Sequence, residues 1–187
     1  MPYIDVIQHE NADGELKQIY DDLVEKRGKL AEVHKIQSLN PKSIVNHMDL
    51  YMTIMFGKSP LKRYQREMIA VIVSTANECP YCMQHHTDAL NHFWKDDSKI
   101  NTLIKDFNKT DLSDVDKALC AYAQVLTTKP SGIEESQCIE NLKQLGVDDR
   151  SLLDAALVIS YFNFVNRMVL GLGVQLEEEG GKGYEYD

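Results

Sequence analysis

The chain has 187 residues, enough to bury a substantial core in one domain without requiring two. Twenty basic against twenty-nine acidic residues give a net charge of -9, and with no Lys/Arg cluster this disfavours nucleic acid or an anionic membrane surface as partner. No positive segment followed by an apolar one opens the chain, and the longest apolar runs, such as 155–160, break well before bilayer length. A soluble, cytoplasmic protein with neither nucleic-acid nor membrane partners is expected.

The hydrophobic period is helical nearly throughout. Leu16, Ile19, Tyr20 and Leu23 form one apolar stripe, with Asn11 or Asp13 as cap and Gly28 as stop. A second helix starts at Asn40-Pro41, with proline in its first turn, and runs through Ile44, Met48, Tyr51, Met52 and Met55 to Gly57. Its methionine face reads as core. Ser59-Pro60 opens a third helix, 61 to about 77, whose later half (68–73) is apolar almost all round. That run alone could be a strand; its continuity with 62–67 favours a helix. A fourth helix runs from Pro80 to about Trp94, and a short one passes through Ile100, Leu103 and Ile104. Ser113 and Asp116 have capping-box spacing before a helix over 118–126. Pro130-Ser131-Gly132 breaks the chain, 134–145 is amphipathic up to Gly146, and Asp148-Asp149 start the last long helix. No β-hairpin signal appears. The pattern predicts a single all-α domain over 1–187 with about seven to nine helices, a motif core at about 40–95 and a tail from about 177.

Chemistry concentrates in Cys79-Pro80-Tyr81-Cys82, followed by His85 and His86. In a reducing compartment, thiols at C-x-x-C spacing are catalytic or metal-binding rather than a structural staple. A helix starting at Pro80 puts both thiols near its positive end, where a thiolate is favoured. Cys82 and His86 then lie one turn apart on one face, while His85 points about 100° away. Glu67 sits twelve residues before Cys79, on the preceding helix. Antiparallel packing of these two helices would bring Glu67 to about the height of His86. Redox chemistry and zinc binding through Cys79, Cys82, His86 and a fourth ligand (His85, His92 or Glu67) both remain open on this pattern. Cys120 reads as a buried small hydrophobe, and Cys138 has no visible partner. Phe93 and Trp94 are read as core, with a substrate wall as the alternative. Tyr161, Asn163 and Asn166 are further candidates to face the site.

The spacing Glu67-x11-Cys79-x2-Cys82-x3-His86 resembles the signature of the AhpD-like alkylhydroperoxidases, in the carboxymuconolactone decarboxylase superfamily. The likeness covers about 50 residues around the motif. Chain length and the segment Tyr161-Phe-Asn-Phe-Val-Asn-Arg167 resemble its longer, peroxidase-related branch. The resemblance implies an all-helical, homo-oligomeric protein that reduces a hydroperoxide without metal, haem or flavin, with an external dithiol as electron donor. It implies Cys82 as the attacking thiolate, Cys79 as the resolving thiol, and His86 with Glu67 as the proton relay. Tyr81 stands where the best-known members carry a second histidine; Tyr81 and His85 are thus supporting candidates. The sister decarboxylases lack the cysteine pair, so lactone decarboxylation is not expected. A general thiol-disulfide oxidoreductase or redox sensor would use the same cysteines.

Overall fold

The helical period is realised throughout residues 1–177, which the computed structural model describes. The α-helices are α1 (Gly14–Arg27), α2 (Glu32–Lys35), α3 (Pro41–Tyr51), α4 (Arg63–Ala76), α5 (Pro80–Trp94), α6 (Asp97–Lys105), α7 (Asp114–Thr128), α8 (Ile133–Ser136), α9 (Cys138–Gln144) and α10 (Asp149–Leu172). No strand occurs among the described residues. The tail expected from about 177 lies outside them, apart from Glu177 itself.

The ambiguous apolar run at 68–73 is helical because α4 is the hub of the fold. Every residue from Gln65 to Ser74 is buried, and α4 packs against α5, α7 and α10 at once. A helix apolar on all sides suits that central position. The Cys120 side chain is fully buried on α7, as a small hydrophobe. A second, smaller core joins α1 to α3 through Leu16, Tyr20, Leu23, Ile44 and Met48. Met48 and Met55 are buried, but Met52 is 41% exposed, so the methionine face is core only in part. Among the described residues α10 has the length and apolar composition of a membrane span. Here Val158, Ile159, Phe162 and Val165 bury its inner face in the core.

Local chemistry explains the element ends. Gly28 closes α1 with φ 72°, a left-handed conformation that costs glycine little, and its N–H donates to the Val24 carbonyl at 2.8 Å. Helix α3 stops at Tyr51, short of the expected Gly57, because the chain widens into a π-type turn over Met52–Phe56. Gly57 is required there: a Cβ would lie 2.2 Å from the Thr53 carbonyl oxygen. Arg66 donates to the carbonyls of Ile54 (3.1 Å) and Gly57 (3.0 Å), which satisfies this irregular backbone from α4. The single helix expected over 134–145 is divided. Gln137 adopts φ 55° and separates α8 from α9, with no glycine or proline to signal it.

Asp116 ties α7 to the hub. Its buried carboxylate accepts from Gln65 Nε2 (2.7 Å) and from the Tyr64 hydroxyl (3.0 Å). Ser113 caps the same turn, its hydroxyl accepting from the Asp116 N–H at 3.1 Å, as the capping spacing predicts. Removing the carboxylate strands the buried Gln65 amide. Asp116→Ala is therefore expected to lower unfolding free energy by about 2 kcal/mol or more, read from the urea midpoint; an unchanged midpoint would contradict this role.

Candidate active site

The turn between α4 and α5 places the thiols. Glu78 adopts φ 52°, uncommon for a residue with a side chain, and the next N–H, that of Cys79, donates to the Ser74 carbonyl at 2.9 Å. Cys79 becomes the N-cap of α5, Pro80 fills its first turn, and Cys82 follows within that turn. Both are free thiols and both are buried, 1% and 2% exposed. The Cys82 thiol and the backbone N–H groups of Cys82 and Tyr81 donate to Cys79 and hold its pKa down against burial. The Cys82 thiol is raised by that donation, by burial and by the Cys79 charge, with Asn166 acting the other way. Cys79 sits at the helix cap, whereas Cys82 is the thiol that lines a cavity.

That cavity, about 80 Å³, lies among α2, α3, α5 and α10, with Cys82, His86, His34, Tyr51 and Tyr161 in its wall. The hairpin of α4 and α5 brings Glu67 to His86 at the height the sequence suggested. His86 Nδ1 donates to Glu67 Oε2 at 2.7 Å, while Arg63 donates to the other oxygen, Oε1. Glu67 is 0% exposed. Burial alone would raise its pKa, but the charge and hydrogen bonds of His86 and Arg63 win and hold it below the ordinary value. An ionised carboxylate only accepts. A neutral imidazole at this position therefore carries its proton on Nδ1 and leaves Nε2 unprotonated. Phe162 packs edge-on against the ring at 4.4 Å and fixes its plane.

The other two candidates also line the cavity, with polar atoms turned toward Glu177. Tyr81 donates from its hydroxyl to Glu177 Oε1 (2.8 Å) and accepts from the Val33 N–H (3.2 Å). His85 stacks on Tyr81 at 4.5 Å and meets Glu177 Oε2 at 2.8 Å. Glu177 also accepts from the Glu32 N–H at 2.9 Å. Burial opposes its charge, but these donors hold its pKa down to about 2. Glu177, expected to begin a tail, instead fastens the chain after α10 to α2 and α5. Only its contacts reveal this; nothing in its local sequence does.

Of the α10 candidates, Tyr161 lines the cavity. Asn166 is fully buried beside Ser74 and interacts with Cys82. Asn163 instead bonds Asn77 and Thr127. Phe93 and Trp94 do not border the cavity. Sequence reasoning missed Gln37, His34 and His47. Nε2 of His47 lies 2.6 Å from the Tyr161 hydroxyl and Nδ1 lies 2.8 Å from Gln37 Nε2. For the zinc alternative, no three His, Cys, Asp or Glu side chains converge as a ligand set among the described residues.

Residues 46–106 match the model of the carboxymuconolactone decarboxylase family. A solved structure from Ralstonia eutropha JMP134, described as an AhpD core and an uncharacterized peroxidase-related protein, is 21% identical. It superposes with a TM-score of 0.84 over 98% of each chain. An uncharacterized peroxidase-related protein from Silicibacter sp. TM1040 is 26% identical, with a TM-score of 0.81 over 97% of this chain and 92% of its own. The debrominase Bmp8 is 20% identical, with a TM-score of 0.78 over 94% of this chain and 92% of its own.

Burial pushes His34 down to a pKa of about 3, with His47 and Arg27 adding to the effect, and pushes His47 down to about 4. Both are neutral in the fold, while the unfolded chain takes up their protons below about pH 6.5. Their contribution is therefore complete above that pH and is lost as pH falls toward 4 and then 3. Between pH 7 and 5, above the carboxylate range, the urea midpoint should fall, by about 2 kcal/mol of stability for each histidine. His34→Gln should flatten that slope; an equally stable wild type at both pH values would contradict the buried neutral pair.

Proposed function

We propose, from a chain that carries the carboxymuconolactone decarboxylase core at 46–106 on an AhpD-like fold, that this protein is a thiol-dependent peroxidase acting on small hydroperoxides. The observation that carries the reading is the bond from His86 Nδ1 to buried Glu67, with His86 and Cys82 in the wall of one cavity. A thiol becomes a nucleophile only as the thiolate, and an imidazole oriented by a carboxylate can take its proton. A debrominase shares the fold, so the fold alone does not select the reaction; the thiol pair with an oriented base supports peroxide reduction.

In this reading Cys82 attacks because it faces the cavity. Cys79, at the helix cap and outside the cavity wall, is the resolving thiol. The proton of Cys82 passes to His86 as the sulfur attacks the O–O bond. Cys82 becomes a sulfenic acid and releases an alcohol or water. Cys79 then condenses with it, forming a disulfide and water. An external dithiol restores both thiols by exchange, so no cofactor is invoked. Burial of both sulfurs favours a small oxidant and a slender reductant over a folded protein disulfide, which counts against a general thiol-disulfide oxidoreductase. A dithiol cycle of this kind fits the reducing cytoplasm. Leu153, Leu157 and Phe164 leave an exposed apolar stripe on α10, which supports a homo-oligomer.

Reduced protein should consume an organic hydroperoxide with a dithiol donor, and Cys82→Ser should abolish the turnover. Undiminished turnover in that variant would remove the assignment. Glu67→Gln should lower the rate on the order of 10²-fold, because the amide can donate to Nδ1 and reverse the tautomer; steady-state kinetics at pH 7 measure this, and an unchanged rate would detach Glu67 from the chemistry.

A further inference from the structure

The cavity holds polar groups that the thiol relay does not use, and their hydrogen-bond directions can be ordered from one end. Gln37 Nε2 lies 2.8 Å from the Val33 carbonyl oxygen and 2.8 Å from His47 Nδ1. A carbonyl only accepts, so it fixes the amide with its nitrogen on that side. The second amide hydrogen then points at His47 Nδ1, which must be unprotonated. Burial keeps this imidazole neutral, so its one proton is on Nε2. Nε2 donates to the Tyr161 hydroxyl oxygen at 2.6 Å. Tyr161 therefore accepts from His47 and keeps its own hydrogen for another acceptor. The Tyr161 hydroxyl has no second protein partner among the described residues, and the residue lines the same cavity as Cys82. Tyr51, 5.8 Å away, and Phe162, 5.0 Å away, hold the ring in place. Burial and nearby groups raise the phenol well above its ordinary pKa, so it keeps its proton until a strong base forms beside it.

We infer that Tyr161, oriented by His47 and Gln37, donates the proton to the oxygen that leaves when Cys82 breaks a peroxide O–O bond. This role rests on the thiol-peroxidase reading above. The S–O bond forms as the O–O bond breaks, and the departing alkoxide takes the Tyr161 proton to leave as an alcohol. The tyrosinate recovers the proton that His86 took from the thiol. Sulfenic Cys82 and the Cys79 thiol then yield disulfide and water. Two electrons pass from the dithiol to the peroxide, and no proton is left over. Tyr161 is a catalytic residue in this scheme; His47 and Gln37 are positioning residues.

Ethyl hydroperoxide and peracetic acid are matched in size, but only the first expels a strongly basic oxygen. Single-turnover loss of free thiol, measured with both oxidants on the reduced protein, separates a proton donor from a structural residue. In Tyr161→Phe the ratio of the ethyl hydroperoxide rate to the peracetic acid rate should fall by about 10². His47→Phe keeps a ring in place but frees the hydroxyl to rotate, and should lower the ratio less. An unchanged ratio in Tyr161→Phe, whether both rates fall together or neither does, overturns the donor role. Thiol loss that still disappears in Cys82→Ser then leaves the peroxidase reading standing. A wild type no faster than free cysteine with either oxidant overturns that reading, and the donor role with it. Should Tyr161→Phe fail to fold, the ratio in His47→Phe decides: a fall supports the role and no change overturns it.

Discussion

One buried charge organises this protein. Glu67 is fully enclosed in the first half of α4, and an isolated carboxylate there would be neutralised rather than tolerated. It stays ionised because Arg63, one turn earlier, and His86, across the hairpin, each donate to one of its oxygens. Its partners come from two helices, so the charge is compensated only when α4 and α5 pack in register. That register also sets Cys79 at the cap of α5 and Cys82 beside the cavity. Stability of the hub and orientation of the base are in this sense one constraint.

The cavity has two polar halves with opposite electrostatic logic. On the thiol side, ionised Glu67 fixes the His86 proton on Nδ1. Elsewhere in the wall, burial keeps His34 and His47 neutral, and a neutral chain from Gln37 through His47 ends at the Tyr161 hydroxyl. One half is suited to accepting a proton and the other to giving one. Tyr81 and His85, also in the wall, turn toward Glu177 and brace the cavity. Tyr81, within the cysteine motif, thus helps to hold the shape of the site while its hydroxyl is committed to Val33 and Glu177.

The sequence made the first half legible and hid the second. Glu67, Cys79, Cys82 and His86 lie on two successive helices, so helical period and one short turn suffice to predict their meeting. The His47–Tyr161 bond joins residues 114 positions apart, and Glu177 reaches Tyr81 across 96. No local period encodes such contacts; they follow from how α3, α5 and α10 come to enclose one cavity. The divided helix at Gln137 was hidden for a different reason: a left-handed residue with an ordinary side chain leaves no compositional mark. The all-helical class, by contrast, was written in the apolar stripe of α1 and in the continuity of the apolar run of α4 with the residues before it.

Everything on the thiol side turns on Glu67 fixing the proton of neutral His86 on Nδ1 and leaving Nε2 as the base. Nitrogen-15 NMR of the reduced protein, labelled at histidine, tests this most directly. Neutral His86 should carry its proton on Nδ1, with an unprotonated Nε2, and Glu67→Gln should abolish this preference. A neutral His86 protonated on Nε2 in the wild type would contradict it.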